Sequence, residues 1–288
     1  MLSRVYSCAV IGLEGVVVEV EVDITAGKGG VTIVGLPDAA VQESRERVFS
    51  AVRNVGLTFP RKRVIVNLAP ASVRKEGPYY DLPIAVGVMA MTGAIPAESI
   101  ESTMIVGELS LDGTVRHARG ILPMAATARQ QGFKRIFVPA SDAPEAALIP
   151  DLEVIPVASL SELYEYLSGN RELNPHPTIE VDTSAATVAT DFREIRGQEH
   201  VKRAFEVAAA GGHNLIMVGP PGSGKTLLAR ALPGILPNMS VDESLDVTRI
   251  YSVADALPPE TPMIGAGRGR GHPTVSQRRS ERAPAVCG

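Results

Sequence analysis

The sequence predicts an α/β protein in two parts. Three observations carry that reading. Short apolar strands alternate with amphipathic helices through residues 1–168. A turn-rich, core-poor stretch spans residues 169–191. Beyond it, an apolar run leads through a glycine-rich loop into a helix, the β–loop–α order of a phosphate-binding unit.

The chain has 288 residues, enough for two separate cores. Its 45% hydrophobic and 21% charged residues describe a globular protein, and a net charge of −4 gives no global reason for polyanion binding. The mildly apolar Val5–Leu13 resembles a leader. However, Glu14 and the alternation of Val16, Val18, Val20 and Val22 with Glu19 and Glu21 read as strands. No run reaches the roughly 18 apolar residues of a membrane span, so a cytoplasmic protein without membrane contact is expected. Cys8 lies among apolar residues and reads as a packed thiol; Cys287 is far away in an unlike context.

Three strands are expected up to residue 36, broken by the turn at Ala26–Gly30. Pro37–Asp38 opens a helix with the stripe Val41, Val48, Val52 and Val55, closed by Gly56. Val64–Leu68 is a strand, residues 69–81 a polar loop, and Leu82–Thr92 an apolar helix ended by Gly93. Met104–Leu109 and Val115–Ala118 read as a hairpin through Leu111-Asp112-Gly113. A helix over 122–131, a strand over 135–138, a helix near 143–148 and a strand over 153–157 follow. The helix over 159–167 carries a capping box of Ser159 and Glu162.

After the linker, Gln198–Ala210 is a helix with Val201, Ala204, Phe205 and Ala208 on one face. Asn214–Val218 reads as a buried strand. Then comes Gly219-Pro220-Pro221-Gly222-Ser223-Gly224-Lys225-Thr226, which fits G-x-x-x-x-G-K-[ST]. Glycines at 222 and 224 let the backbone turn its N–H groups inward on a polyphosphate. Lys225 is placed to reach the β/γ-phosphates and the Thr226 hydroxyl to ligate Mg²⁺. This is the strongest functional signal in the chain, and it predicts ATP and Mg²⁺ as ligands.

Two sets of residues resemble a known family. Gly197-Gln198-Glu199, running into Ala209-Ala210-Gly211-Gly212-His213-Asn214-Leu215 and the P-loop, is similar to the magnesium-chelatase branch of AAA+ ATPases. Val34–Asp38, Val66–Ala71, Lys75-Glu76-Gly77 and Tyr80–Pro83 resemble the ComM/YifB proteins, magnesium-chelatase-like ATPases linked to competence and DNA branch migration. The resemblance covers residues 1 to about 264. It implies a Lon-protease-like α+β domain over 1–168, a linker over 169–191 and the front part of a P-loop AAA+ domain over 192–264. For the full-length family it implies DNA as partner and a homo-hexameric ring. Adenine contact is implied for Ile195, Arg196, Gly197 and Gln198, each of which also reads simply as part of a helix start. His213 reads as a helix-exit residue.

The Lon pattern D-G-P-S-A-G falls on Glu76–Asp81, with Tyr79 at the serine. The lysine of G-G-[LIV]-K-E-K falls on Leu122. A Ser–Lys dyad needs a hydroxyl and a desolvated amine, so no peptidase activity is expected. Ser72 reads as a local cap. Arg74 and Lys75, with Arg61, Lys62 and Arg63, read as a solvated basic loop, with phosphate contact as the alternative.

Hydrolysis needs an apolar strand ending in Asp-Glu, and none follows Thr226. Leu245-Asp246-Val247, Val253-Ala254-Asp255 and Asp242-Glu243 do not qualify. Residues 265–288 hold five Arg, no Lys and little apolar periodicity. An out-of-frame tail on a truncated family member is the expectation, with an RGG-like nucleic-acid tail as the rival. No catalytic residue is assigned, and hydrolysis by this chain is expected to be negligible. The alternatives are a non-catalytic ATP-binding or interaction module and a magnesium-chelatase subunit; the Lon-like half disfavours the latter.

Overall fold

A computed structural model describes residues 2–179, 190–237, 239–258 and 262–264. It divides into two compact units, one of Met1–Val181 with Thr248–Met263 and one of Asp182–Val247 with Ile264–Gly288.

The first unit is built on a seven-stranded mixed sheet. Strands β1 (Leu2–Ile11) and β2 (Glu14–Thr25) form an antiparallel hairpin across Gly12, whose φ of 63° suits the tight turn. The valine alternation resolves as expected: Val18, Val20 and Val22 are buried, whereas Glu21 faces out to accept from Asn67 Nδ2 at 2.8 Å. Strand β4 (Arg63–Ala69) pairs antiparallel with β2, and β3 (Gly30–Val34) lies parallel to β4 at one edge. On the other side of β1, three strands run parallel: β5 (Thr103–Ile105), β8 (Arg135–Pro139) and β9 (Glu153–Val157). The order is β3-β4-β2-β1-β5-β8-β9.

Helix α1 (Ala39–Asn54) starts where Asp38 Oδ1 accepts from Val41 N at 2.8 Å, and it buries Val41, Val48 and Val52. Helix α2 (Asp81–Met91) is apolar on all sides because it is enclosed, with every residue from Asp81 to Met89 buried. Gly87 lets it close on the sheet: a Cβ there would stand 2.5 Å from Val22 Cγ2.

The expected 104–118 hairpin is divided in the structure. Only β6 (Glu108–Leu109) and β7 (Val115–Arg116) pair, as a separate ribbon, while β5 joins the large sheet. The division falls at Gly107, whose N–H donates to Tyr79 O and whose carbonyl accepts from Leu82 N, both at 3.0 Å. Those bonds draw the chain off the sheet toward the start of α2.

Helix α3 (Ile121–Gln130), the short α4 (Ala143–Ala146) and α5 (Leu160–Leu167) complete this part. Ser159 Oγ accepts from Glu162 N at 3.2 Å, as its position predicts, and Glu162 returns a bond to Ala158 N. Past α5, His176 N donates to Val154 O at 2.8 Å, so part of the turn-rich stretch runs along the edge strand β9.

The second unit holds α6 (Glu199–Gly211), α7 (Lys225–Ala231) and the first turns of α8 (Val241–Val253). Ser240 and Glu243 cap α8 reciprocally, at 3.2 and 2.9 Å. Its core is small: Ile195, Phe205, Leu228 and Ala231, with Phe192 stacked edge-on against Phe205 at 5.7 Å. The predicted buried strand over 214–218 does not form. Leu215 and Met217 pack on the core, but Ile216 and Val218 are 89% and 94% exposed. The two-residue alternation of an extended chain is there. Among the described residues of this unit, however, no other strand exists to form a ladder with it.

Candidate nucleotide-binding site

The loop over 219–226 is shaped by two glycines in the left-handed region, Gly222 at φ 82° and Gly224 at φ 83°. Among the described residues, chain neighbours aside, nothing lies within 4 Å of where a side chain would begin at either, so the space beside both is open. Gly224 is also the N-cap of α7, and Leu228 N donates back to its carbonyl at 3.0 Å. Ser223 N closes a turn onto Pro220 O at 3.4 Å. Among the described residues, no carbonyl accepts from the N–H groups of Gly222, Gly224, Lys225 or Thr226.

Lys225 folds across the loop. Its Nζ donates to Gly219 O and Pro220 O, both at 2.7 Å, and to Ser223 Oγ at 3.1 Å. All three acceptors are neutral, and among the described residues no carboxylate holds the amine. A cation parked on neutral oxygens beside a row of unspent N–H donors fits a polyphosphate, which would give each of them a charged acceptor. Thr226 is exposed beside it.

The segment over 195–198 divides. Ile195 is buried in the core with Phe205 and Leu228, so its side chain is a packing residue. Arg196 and Gly197 are exposed. Gln198, in the left-handed region at φ 60°, reaches the loop: its Nε2 donates to Ser223 O at 3.3 Å. The contact ties the start of α6 to the phosphate loop, and nothing in the sequence short of the 25-residue separation hinted at it. His213 follows the end of α6, its N–H bonded to Ala208 O, as a helix-exit residue should be.

In the first unit the two segments that align with the Lon dyad lie close enough for the charge of Arg119 to act on the Tyr79 phenol and favour its ionised form. Neither dyad position carries the protease's group. Tyr79 is buried, and burial holds its phenol above the ordinary value, while Leu122 is fully enclosed. Lys75 departs from the solvated loop residue expected of it. It is fully buried, because its backbone is pinned between Leu36 O and Asp38 N and its amine turns inward to donate to Pro70 O. Burial lowers its pKa. Arg74 remains exposed and pairs with Glu76. Cys8 is buried, its thiol pushed up to about 12 by desolvation.

The comparisons with known proteins agree with this arrangement. The family profile described as subunit ChlI of Mg-chelatase matches residues 20–142, and a second, magnesium chelatase subunit ChlI, matches 191–278. An uncharacterized protein of Mycobacterium tuberculosis H37Rv is 46% identical over 263 residues, 91% of this chain and 52% of its own length. Competence protein ComM of Haemophilus influenzae is 39% identical over 256 residues, 88% of this chain and 50% of its own. YifB of Escherichia coli matches to the same extent. Lon protease 2 of Bacillus subtilis is 25% identical over 181 residues, 57% of this chain and 32% of its own.

A Lon-like α/β sheet domain followed by a glycine loop of this type defines a magnesium-chelatase-like AAA+ protein. Within that class, the chain belongs to the ComM/YifB family of ATP-binding proteins. It spans about half the length of these relatives. Among the described residues no helix is long and apolar enough to cross a membrane. The predicted tail over 265–288 lies outside the described residues.

Proposed function

We propose that residues 192–264 form the nucleotide-binding front of an AAA+ motor, that the ligand is ATP with Mg²⁺, and that residues 219–226 hold it. The observation that supports this best is Lys225, an amine resting on three neutral oxygens at the mouth of an open glycine loop. In this reading the N–H groups of Gly222, Gly224, Lys225 and Thr226 cradle the phosphates, and Lys225 turns from the loop carbonyls to the phosphate oxygens. The Thr226 hydroxyl holds Mg²⁺, whose part is to neutralise phosphate charge. Gly197 and Gln198 flank the adenine side through the Gln198–Ser223 bond; Ile195 supports them from the core.

The wider role proposed is that of the family: a cytoplasmic DNA motor subunit working in a ring, with residues 1–168 as its Lon-like domain and 169–191 as the linker. These 288 residues contain no apolar run ending in Asp-Glu after Thr226, so we propose that they bind ATP without turning it over. A silent ATP-binding or interaction module is the second reading. Peptidase activity forms no part of either, since Tyr79 and Leu122 stand where a serine and a lysine would be needed.

The test is titration of a fluorescent ATP analogue with Mg²⁺. Lys225→Ala removes a charge-assisted contact of about 1.5–3 kcal/mol and should weaken binding roughly 10- to 150-fold. Equal affinity of the two proteins would reject the site.

A further inference from the structure

Residues 47–75 contain no Asp or Glu, in a chain that holds 32 of them, and carry seven Lys and Arg. Three of the seven are committed within the first unit. Arg47 grips Asp81, Arg74 pairs with Glu76, and Lys75 is buried with its amine on Pro70 O. The other four, Arg53, Arg61, Lys62 and Arg63, are exposed, and among the described residues none of them forms an ion pair.

The fold gathers these four and a fifth at one end of the sheet. There β2 ends and β3 and β4 begin, with Thr25 and Gly30 both paired to Arg63. The turn between β2 and β3 lies against the start of β4: a Cβ at Gly29 would stand 2.8 Å from Arg61 O, and one at Gly27 3.6 Å from Arg63 Cβ. That packing sets the exposed Lys28 beside Arg61–Arg63. Because β3, α1 and β4 form a parallel crossover, the last turn of α1 returns to the same end and brings Arg53. Its guanidinium lies over the Phe49 ring at 5.4 Å, and Phe49 meets the buried Phe59, two residues before Arg61, edge-on at 5.1 Å. The acids at the border are Asp23, Glu46 and Asp112. Asp23 faces Ile65, one diagonal from Arg63; Glu46 is paired with Arg45; and Asp112 accepts from Thr114 N.

We propose that this end of the Lon-like sheet is a contact surface for the phosphate backbone of a nucleic acid, formed by Lys28, Arg53, Arg61, Lys62 and Arg63. The cations are spread over two turns and a helix end, so one small anion cannot meet them together. A strand with a phosphate about every 3.4 Å of helix axis can. Arg53 already covers a face of Phe49, and Asn54 Nδ2 donates to Leu111 O at 2.6 Å. The patch therefore offers phosphate contacts rather than base stacking or base-edge readout, and its binding is indifferent to sequence. The exposed positions of 26–30 and 61–63 carry no large apolar side chain, which leaves a bilayer nothing to bury. With a net charge of −4 on the whole chain, the attraction is local to these residues. None of this rests on ATP binding at 219–226.

The experiment is fluorescence anisotropy of labelled DNA of mixed sequence, with the full chain and no nucleotide, between about 50 and 200 mM salt. Five phosphate contacts give a slope of log K on log salt of about −4.5. Arg61→Ala/Lys62→Ala should reduce that slope by about 2 and weaken binding about tenfold or more at the lower salt. Both residues are exposed, so the variant should unfold at the wild-type urea concentration. Arg129→Ala/Arg171→Ala makes the same change in charge at cations that pair with Asp151, Glu162 and Glu165, and should bind as wild type does. Failure of the wild type to bind overturns the proposal, as does an unchanged Arg61→Ala/Lys62→Ala variant or an equal loss in the control. Displacement of DNA by polyglutamate at equal charge concentration would assign the surface to an acidic peptide instead. Capture by phosphatidylserine vesicles that the variant loses, with DNA binding intact, would assign it to a membrane.

Discussion

Replacing Arg47 by Met tests how the Lon-like unit is held at its centre. Asp81 opens α2 with its side chain fully buried, and Arg47, 19% exposed, grips it through Nε at 2.6 Å and Nη2 at 3.1 Å. Leu109 N adds a third bond at 3.2 Å, which hangs the β6–β7 ribbon on the same carboxylate. Arg47→Met keeps most of the aliphatic stem and leaves a buried charge with one backbone donor. Breaking one side of such a pair costs about 3–5 kcal/mol. In a unit of this size that lowers Tm by about 6–20 °C. Burial pushes the Asp81 carboxyl up, and losing Arg47 pushes it further. A raised carboxyl pKa is a penalty present above the unfolded value and relieved as pH falls, so the gap between variant and wild type should narrow toward pH 4. The double variant Arg47→Met/Asp81→Leu removes both charges and should return to within about 2 kcal/mol of wild type, the remaining cost being the Leu109 N–H. The assay is urea unfolding at several pH values. A loss below about 1 kcal/mol for Arg47→Met, or a double variant as unstable as the single, would refute the reasoning.

Three further outcomes follow from the same structure. Asp142 first, then Asp255, raises His117 from its ordinary 6.5 to about 9. Its contribution should be fully present below pH 6.5 and fade as pH rises through 9; an NMR titration showing an ordinary imidazole would contradict this. The Cys8 thiol, buried and pushed up to about 12, should resist a thiol-specific reagent in the native chain and react once urea unfolds it; rapid native labelling would disprove that burial. Phe205→Ala removes the largest member of a small core and should cost the nucleotide unit about 3–5 kcal/mol, read by far-UV circular dichroism during unfolding.

Periodic features were legible in the sequence. The valines of β2, the stripe of α1 and the cap at Ser159 each follow from a local rule, and each formed. Features set by distant partners were not. Residues 214–218 carry a strand's pattern, but a strand needs a neighbour to form a ladder, and among the described residues of that unit there is none. Lys75 reads as solvated until Leu36 and Asp38 fix its backbone from the far side of the loop. The bonds of Ser252 to Glu145 and of Asp255 to His117 join residues 107 and 138 positions apart, and no spacing rule reaches that far. At the phosphate loop the motif named the residues. The structure added the resting place of Lys225 and the bond from Gln198.

The central claim is that the backbone of 222–226 receives a polyphosphate, and amide chemical shifts test it most directly. On adding ATP and Mg²⁺, the N–H resonances of Gly222, Gly224, Lys225 and Thr226 should move together, and Lys225→Ala should diminish the shifts at equal ligand concentration. If ATP moves other amides and leaves these four in place, the loop is not the site and the account of this protein as a nucleotide binder through residues 219–226 is wrong.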